Sequence, residues 1–246
     1  MKRSNLLSKM GKKTLGLIYP ENLYCIACGD TIEASTRIHG LCDDCIKKTD
    51  WNTENPYAEV MEDFAFDSLW TCCRYGYLPR RIMNGLKLKG RTYYARSLGL
   101  LLSERTLQGF EEEGLEAGDF DMVVAVPMTP TKQAQRGYNQ AELLALEVCS
   151  ELDMPYRSDV LLKPVETPSM RFSDGRTRRT VLAGAFTVKG SDGGVKPLSG
   201  KRILLVDDVS TTGSTFDACA RTLKEAGASS VTCLCFATVG VVQDDR

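Results

Sequence analysis

No stretch of this sequence approaches a membrane span. The longest apolar run near its basic start, Leu15-Gly16-Leu17-Ile18-Tyr19, is too short even for the core of a signal peptide. Leu6, Leu7 and Met10, at helical spacing, are expected to form a short helix packed on the body instead. An excess of either charge is also missing. With 31 basic and 32 acidic residues the net charge is −1, so nothing draws the whole chain toward nucleic acid or a membrane. Any anion-binding surface must be local. No internal repeat is evident, and 43% hydrophobic with 26% charged residues excludes disorder. The ten cysteines do not make a secreted disulfide framework, because 246 residues supply a core without one. Cys219 on a helix and Cys233 and Cys235 in a strand read as buried thiols, which fits a reducing, cytoplasmic setting.

What is present falls into three regions. Residues 1–50 hold the N-terminal helix and four cysteines in two pairs. Residues 51–120 form a connecting hood. It contains a strand-like stretch from Phe66 to Tyr75, a basic helix-like stretch, and an acidic segment, Glu111 to Gly118, that reads as an exposed loop. Residues 121–246 alternate strand and helix signals, the pattern of a doubly wound parallel α/β sheet. Met122 to Val126 is a compact strand ending at Pro127. A helix begins near Asn139, an N-cap with Glu142 three residues on, as in a capping box. Ile203 to Val206 suits a central strand covered on both faces. The next helix carries Phe216, Ala220 and Leu223 on one stripe and stops at Gly227, and Ser230 to Val239 is the next strand.

The strongest chemical signal is the strand–loop–helix unit from Ile203 to Ala226. A buried strand is expected to deliver Asp207 and Asp208 to its carboxyl end. A loop of hydroxyl residues and one glycine follows: Ser210, Thr211, Thr212, Gly213, Ser214 and Thr215. Gly213 allows close approach of the backbone to a phosphate, and amides of Thr211 through Thr215 can converge on its oxygens. The helix N-terminus adds about half a positive charge. The carboxylates, being acceptors, suit ribose hydroxyls or Mg²⁺. A Walker loop would need a lysine after the last glycine, and a dinucleotide fingerprint three spaced glycines; both are lacking.

Positions Ile203 to Thr215 resemble the signature of type I phosphoribosyltransferases. A second block, Val126-Pro127 followed by Arg136-Gly137-Tyr138-Asn139-Gln140, resembles the ComF family, named for a bacterial competence protein. Leu86-Lys87-Leu88-Lys89-Gly90, Arg178 and Gly184-Ala185-Phe186 extend the likeness. Family members commonly carry Gln upstream of the Arg178 position and Asn three residues after it, where this chain has Met170 and Val181. The resemblance implies a phosphoribosyl diphosphate ligand carried with Mg²⁺. Asp207 and Asp208 would orient the ribose. Arg136 and Lys132, in the stretch from Met128 to Arg136, would hold the departing diphosphate, unless that stretch is a plain solvated loop. It leaves two functions open: a phosphoribosyl (glycosyl) transferase, or a non-catalytic factor in DNA uptake or processing that binds single-stranded DNA or partner proteins. No general base is visible for the former.

Cys25-x-x-Cys28 and Cys42-x-x-Cys45, thirteen residues apart, suit two knuckles around tetrahedral Zn²⁺ in a small region without a core. Two disulfides or unrelated thiols are the competing readings. His39 between the pairs reads as a surface residue. From Thr71 to Ser103 no acidic residue occurs, while Arg74, Arg80, Arg81, Lys87, Lys89, Arg91 and Arg96 interleave with Tyr75, Tyr77, Tyr93 and Tyr94. Single-stranded nucleic acid, the rim of a diphosphate pocket and a solvated helix face are all compatible with that pattern.

Overall fold

The β-branched and apolar runs become strands of one sheet in the computed structural model, which describes residues 23–32, 39–51, 53–164, 166, 182, 184–191 and 196–239. The expected helix around Leu6 and the positions Met170, Arg178 and Val181 lie outside the described residues. The chain divides into two units, Met1–Lys48 and Thr49–Arg246. The first contains helix α1 (Asp43–Lys48).

In the second unit the elements run β1 (Ser68–Arg74), α2 (Tyr77–Leu88), α3 (Tyr94–Glu113), β2 (Met122–Ala125), α4 (Pro130–Arg136), α5 (Gln140–Leu152), β3 (Leu161–Leu162), β4 (Thr187–Val188), β5 (Arg202–Ser210), α6 (Ser214–Glu225) and β6 (Ser230–Thr238). The main sheet has the order β1-β6-β5-β2, with every pairing parallel. Residues 155–157 run alongside β2 through Val123 N–H to Pro155 O and Arg157 N–H to Val123 O, at 2.8 and 3.0 Å. β3 and β4 form a separate antiparallel pair. Residues 51–120 therefore supply an edge strand and two helices to the same unit as the later strands.

Parallel order forces crossovers, and the helices on them cover the sheet. α3 packs on α5 and against β1, and α6 lies on β5 and β6. Gly99 permits the α3–α5 approach, since a Cβ there would stand 2.2 Å from Cβ of Glu147. Ile203, Leu204, Leu205 and Val206 are fully buried, as a central strand with two covered faces requires.

Three local expectations change. β5 does not stop at Val206: β6 is equally long and keeps pairing, Asp207 with Cys235 and Ser210 with Thr238, so the acids and Ser210 are strand residues. The acidic stretch begins as helix, α3 continuing to Glu113 before Gly114 turns left-handed at φ +65°. There Trp70 Nε1 donates to Glu113 at 2.8 Å and Arg105 pairs with Glu112 at 2.9 Å, which anchors acids that would otherwise be solvated. The third is Glu142. Asn139 caps α5 by accepting from Ala141 N–H at 3.1 Å, but the Glu142 carboxylate accepts from the Tyr156 hydroxyl.

Candidate phosphate site and cysteine cluster

Past Ser210 the chain leaves the sheet for three residues and enters α6, whose first-turn amides point back toward the strand end. Gly213 makes the turn at φ +72°, a conformation that L side chains rarely adopt. A second constraint acts at the same atom, because a Cβ on Gly213 would meet Cε1 of Phe64 at 2.8 Å. The segment bearing Phe64 grips the loop at three points. Tyr57 and Ser210 share a hydrogen bond between hydroxyls at 3.2 Å, Phe64 lies against Gly213, and Ala65 N–H donates to the buried Asp217 at 2.8 Å. Tyr57, Phe64, Phe66 and Phe216 form one aromatic cluster behind it. Thr211 is exposed, Thr212 and Thr215 are half-buried, and Ser214 is buried with its hydroxyl 2.8 Å from that of Thr212. The Ser210 hydroxyl is engaged by Tyr57 in the aromatic cluster.

The acids beside this loop are shielded from water, and Asp208 has a charged partner. Asp208 is 3% exposed, and its Oδ2 stands 2.8 Å from Nζ of Lys87, in the last turn of α2. Burial opposes the Lys87 charge, but Asp208 and then Asp207 more than offset it, so its pKa rises. Asp207 is half-buried and its Oδ1 accepts the Asp208 N–H at 2.8 Å. Burial, and then the charge of Asp208, push Asp207 up to about 7. Lys163 completes the group. It is half-buried, its ammonium lies 5.0 Å from the centre of the Phe186 ring, and burial lowers its pKa while Asp207 pulls the other way.

The stretch after β2 is a helix where a loop was expected, α4 starting with Pro130 at a position that needs no N–H. Lys132 and Arg136 are four residues apart and so share a face of it. Both are engaged: Lys132 pairs with Glu166 at 3.1 Å, and Arg136 donates to Gln140. Thr129 also donates to Glu166. A pocket of about 450 Å³ opens beside the end of β2, lined by Pro127, Met128, Gln133, Glu142, Tyr156 and Lys163 among others. Another of about 420 Å³ sits at the start of β1, near Trp70, Arg105 and Glu112.

The cysteine pairs converge in the first unit. Gly29 turns left-handed at φ +88° and donates to Cys25 O at 2.8 Å, and Ile26 N–H reaches Gly40 O at 3.0 Å, which folds one knuckle onto the other. Cys45 comes from α1. The sulfurs of Cys25, Cys28, Cys42 and Cys45 lie within 4.8 Å of one another. Four sulfurs bound tetrahedrally at about 2.3 Å stand about 3.8 Å apart, and Cys28 and Cys42 are separated by 3.8 Å. Burial pushes the Cys28 thiol up to about 12. At Cys25 burial acts the same way, but amide hydrogen bonds from Cys28, Cys42 and Ala27 outweigh it and bring the group to about 7. The cluster can hold a thiophilic metal ion such as zinc.

A family model described as the phosphoribosyl transferase domain matches residues 170–245. DNA utilization protein YhgH of Escherichia coli O157:H7 is 31% identical over 156 residues, covering 63% of this chain and 65% of that protein. Competence protein F of Haemophilus influenzae is 32% identical over 111 residues, 45% of this chain and 47% of its own. Competence protein ComFC of Streptococcus pneumoniae is 26% identical over 223 residues, 84% of this chain and 96% of its own. The chain is thus similar to the ComF-type competence proteins, carries a phosphoribosyltransferase-like segment, and spans slightly under two thirds of the length of the YhgH protein it matches.

Lys87, Lys163 and Tyr57 stand at or against the site without being singled out individually by the sequence. Lys87 was legible as part of a family block, but its partner Asp208 is far along the chain. Lys163 and Tyr57 carry no local signal at all, being brought to the site by β3 and by the turn before β1. The basic stretch also resolves. Lys87 pairs with Asp208, Arg96 with Glu147 and Glu151, and Arg74 lies 3.9 Å from Asp50. Arg80, Arg81, Lys89 and Arg91 stay exposed, beside Tyr77, Leu88 and Tyr93 at 72%, 71% and 63% exposure. No described helix is long and apolar enough to cross a membrane.

Proposed function

We propose that this protein binds phosphoribosyl diphosphate, or a closely similar phosphorylated ribose, at the end of β5. The observation that carries the reading is the left-handed Gly213 between a paired-acid strand and the N-terminus of α6, with Thr211, Thr212, Ser214 and Thr215 around it. Amides of residues 211–215 would receive the 5′-phosphate, because the N-terminus of α6 and its dipole favour an anion there. Asp207 and Asp208 would receive ribose hydroxyls. Arg136 and Lys132, on one face of α4, would hold the diphosphate once it displaces Glu166 from Lys132. If a nucleophile attacks C1 of the ribose, the C1–O bond breaks and the electron pair leaves with diphosphate. The protein's contribution is then positioning and charge stabilisation. Zn²⁺ in the cysteine cluster would serve folding of the first unit.

Calorimetry with phosphoribosyl diphosphate, ribose 5-phosphate and inorganic diphosphate tests the binding. The two sugar phosphates should bind and Gly213→Val should abolish both; no heat from either sugar on the wild type defeats the proposal. Release of diphosphate with a panel of amines and nucleobases, read by phosphorus NMR, tests the transfer.

A second reading rests on the exposed surface of α2 and the turn after it. Arg80, Arg81, Lys89 and Arg91 alternate there with exposed Tyr77 and Tyr93, the composition that binds single strands by phosphate contact and stacking. The names of the relatives point to DNA utilization and competence. Fluorescence anisotropy should then find single-stranded DNA binding that weakens steeply with salt and on replacing Arg80 and Arg81; absence of salt-dependent affinity would remove this reading.

A further inference from the structure

Two adjacent carboxylates in a half-buried strand end need a positive counter-charge, and here the chain supplies it. Lys87 Nζ stands 2.8 Å from Asp208 Oδ2, with Lys87 and Asp208 side chains 29% and 4% exposed. The ammonium is carried by a rigid element, since α2 is held down by Leu78, Ile82, Met83 and Leu86. Asp207 turns Oδ1 to the Asp208 N–H at 2.8 Å, so that oxygen is engaged within the strand. The charge of Asp207 also acts on the half-buried Lys163, a second ammonium in this part of the unit. A divalent cation bridging the two acids would have to displace Lys87 and then remain close to it, and like charges in a site shielded from water repel strongly. These residues therefore do not fit a directly coordinated Mg²⁺.

We propose that Lys87 occupies the place of a metal ion beside the acid pair, so that the sugar hydroxyls are received by a carboxylate–ammonium pair of the chain itself. A ribose hydroxyl is both donor and acceptor. Its O–H can donate to Asp208 while Lys87 donates to its oxygen, which an acid pair alone cannot provide. Any Mg²⁺ that accompanies a diphosphate ligand is then held by the ligand's phosphate oxygens and not by Asp207 and Asp208. This rests on the reading that the site takes a phosphorylated ribose, and the test separates the two.

The first arm uses Mn²⁺ alone, followed by electron paramagnetic resonance on full-length, zinc-loaded protein. Wild type should bind no Mn²⁺ at the acid pair. Lys87→Met should gain a site at least tenfold tighter than any wild-type binding, and Lys87→Met with Asp208→Asn should lose it again. Lys87→Gln, which keeps a hydrogen-bonding end, serves if the methionine variant does not fold. Wild type binding Mn²⁺ as tightly as the Lys87 variants, in a manner abolished by Asp208→Asn, overturns the proposal. The second arm is calorimetry with ribose 5-phosphate, with Mg²⁺ or with EDTA. Wild-type affinity should agree within twofold between the two conditions and fall at least tenfold in Lys87→Gln. Binding that requires Mg²⁺ overturns the proposal. If ribose 5-phosphate binds under neither condition, the sugar-phosphate reading fails, while the manganese arm still decides the role of Lys87.

Discussion

Gly213→Ala perturbs two things at once, and each has a magnitude. The residue sits at φ +72°, where a Cβ costs about 1–2 kcal/mol. That Cβ would also lie 2.8 Å from Cε1 of Phe64. Phe64 is boxed by Tyr57 and Phe66, with ring centroids at 5.2 and 4.9 Å, so it cannot swing aside without disturbing the Tyr57–Ser210 bond. Overpacking of this kind costs about 1–3 kcal/mol. Together the loss is on the order of 2–5 kcal/mol, which in a unit of this size lowers the melting temperature by about 4–20 °C. Differential scanning calorimetry reads that directly. Adding Phe64→Ala should relieve the steric part and leave the backbone part. Ligand affinity should behave otherwise: because the loop amides are re-aimed in both variants, ribose 5-phosphate binding at 10 °C should stay at least tenfold weaker in each. A Gly213→Ala protein with the wild-type melting temperature and an affinity within twofold would refute the reasoning.

Asp207 sits at about 7 in the folded chain against an ordinary 3.8. Between those values the folded state holds a proton that the unfolded state has released, so this group's contribution is greatest below about pH 4 and is lost as pH rises through 7. Asp207→Asn should therefore be more stable than wild type at pH 8, the difference shrinking toward pH 4 in urea titrations; an equal difference at both pH values contradicts this. Lys132→Ala should weaken phosphoribosyl diphosphate binding severalfold and leave ribose 5-phosphate unchanged, whereas Glu166→Gln, by releasing Lys132, should tighten the diphosphate ligand. Replacing any one of Cys25, Cys28, Cys42 and Cys45 by Ser should abolish stoichiometric zinc and the thiolate-to-cobalt absorption of the cobalt-substituted protein; retention of both would dissolve the four-thiol site. Gly99→Val, which drives side-chain atoms into Glu147 at the α3–α5 contact, should cost about 1–3 kcal/mol of stability with no change in ligand affinity below the transition.

Much of this was legible because the signals are local. An apolar run, two acids, hydroxyls, a glycine and an amphipathic helix follow one another between Ile203 and Ala226, and the fold realises that unit nearly as written. The cysteine pairs were legible for the same reason, since ligand spacing within each knuckle is a property of a few residues. What failed was decided by partners distant in sequence. β5 runs on through both aspartates because β6 is there to pair with it, and Glu111 to Glu113 stay helical because Trp70 and Arg105 hold them. The charge of Asp208 is balanced by a lysine on α2 that no local pattern connects to it. Lys132 could be named as a cation, but its engagement with Glu166 is a tertiary fact. The strap formed by Tyr57, Phe64 and Ala65 was invisible, because aromatic residues before a strand carry no indication of which loop they will cover.

In the proposed function, the turn after β5 receives the phosphate of a phosphorylated sugar. Amide chemical shifts of an isotope-labelled protein titrated with ribose 5-phosphate test it at single residues. Saturable shifts should concentrate at Thr211 through Thr215, with Asp207 and Asp208 following. A titration that leaves those amides unmoved, or moves instead the residues around Trp70 and Arg105 at the start of β1, would contradict the account.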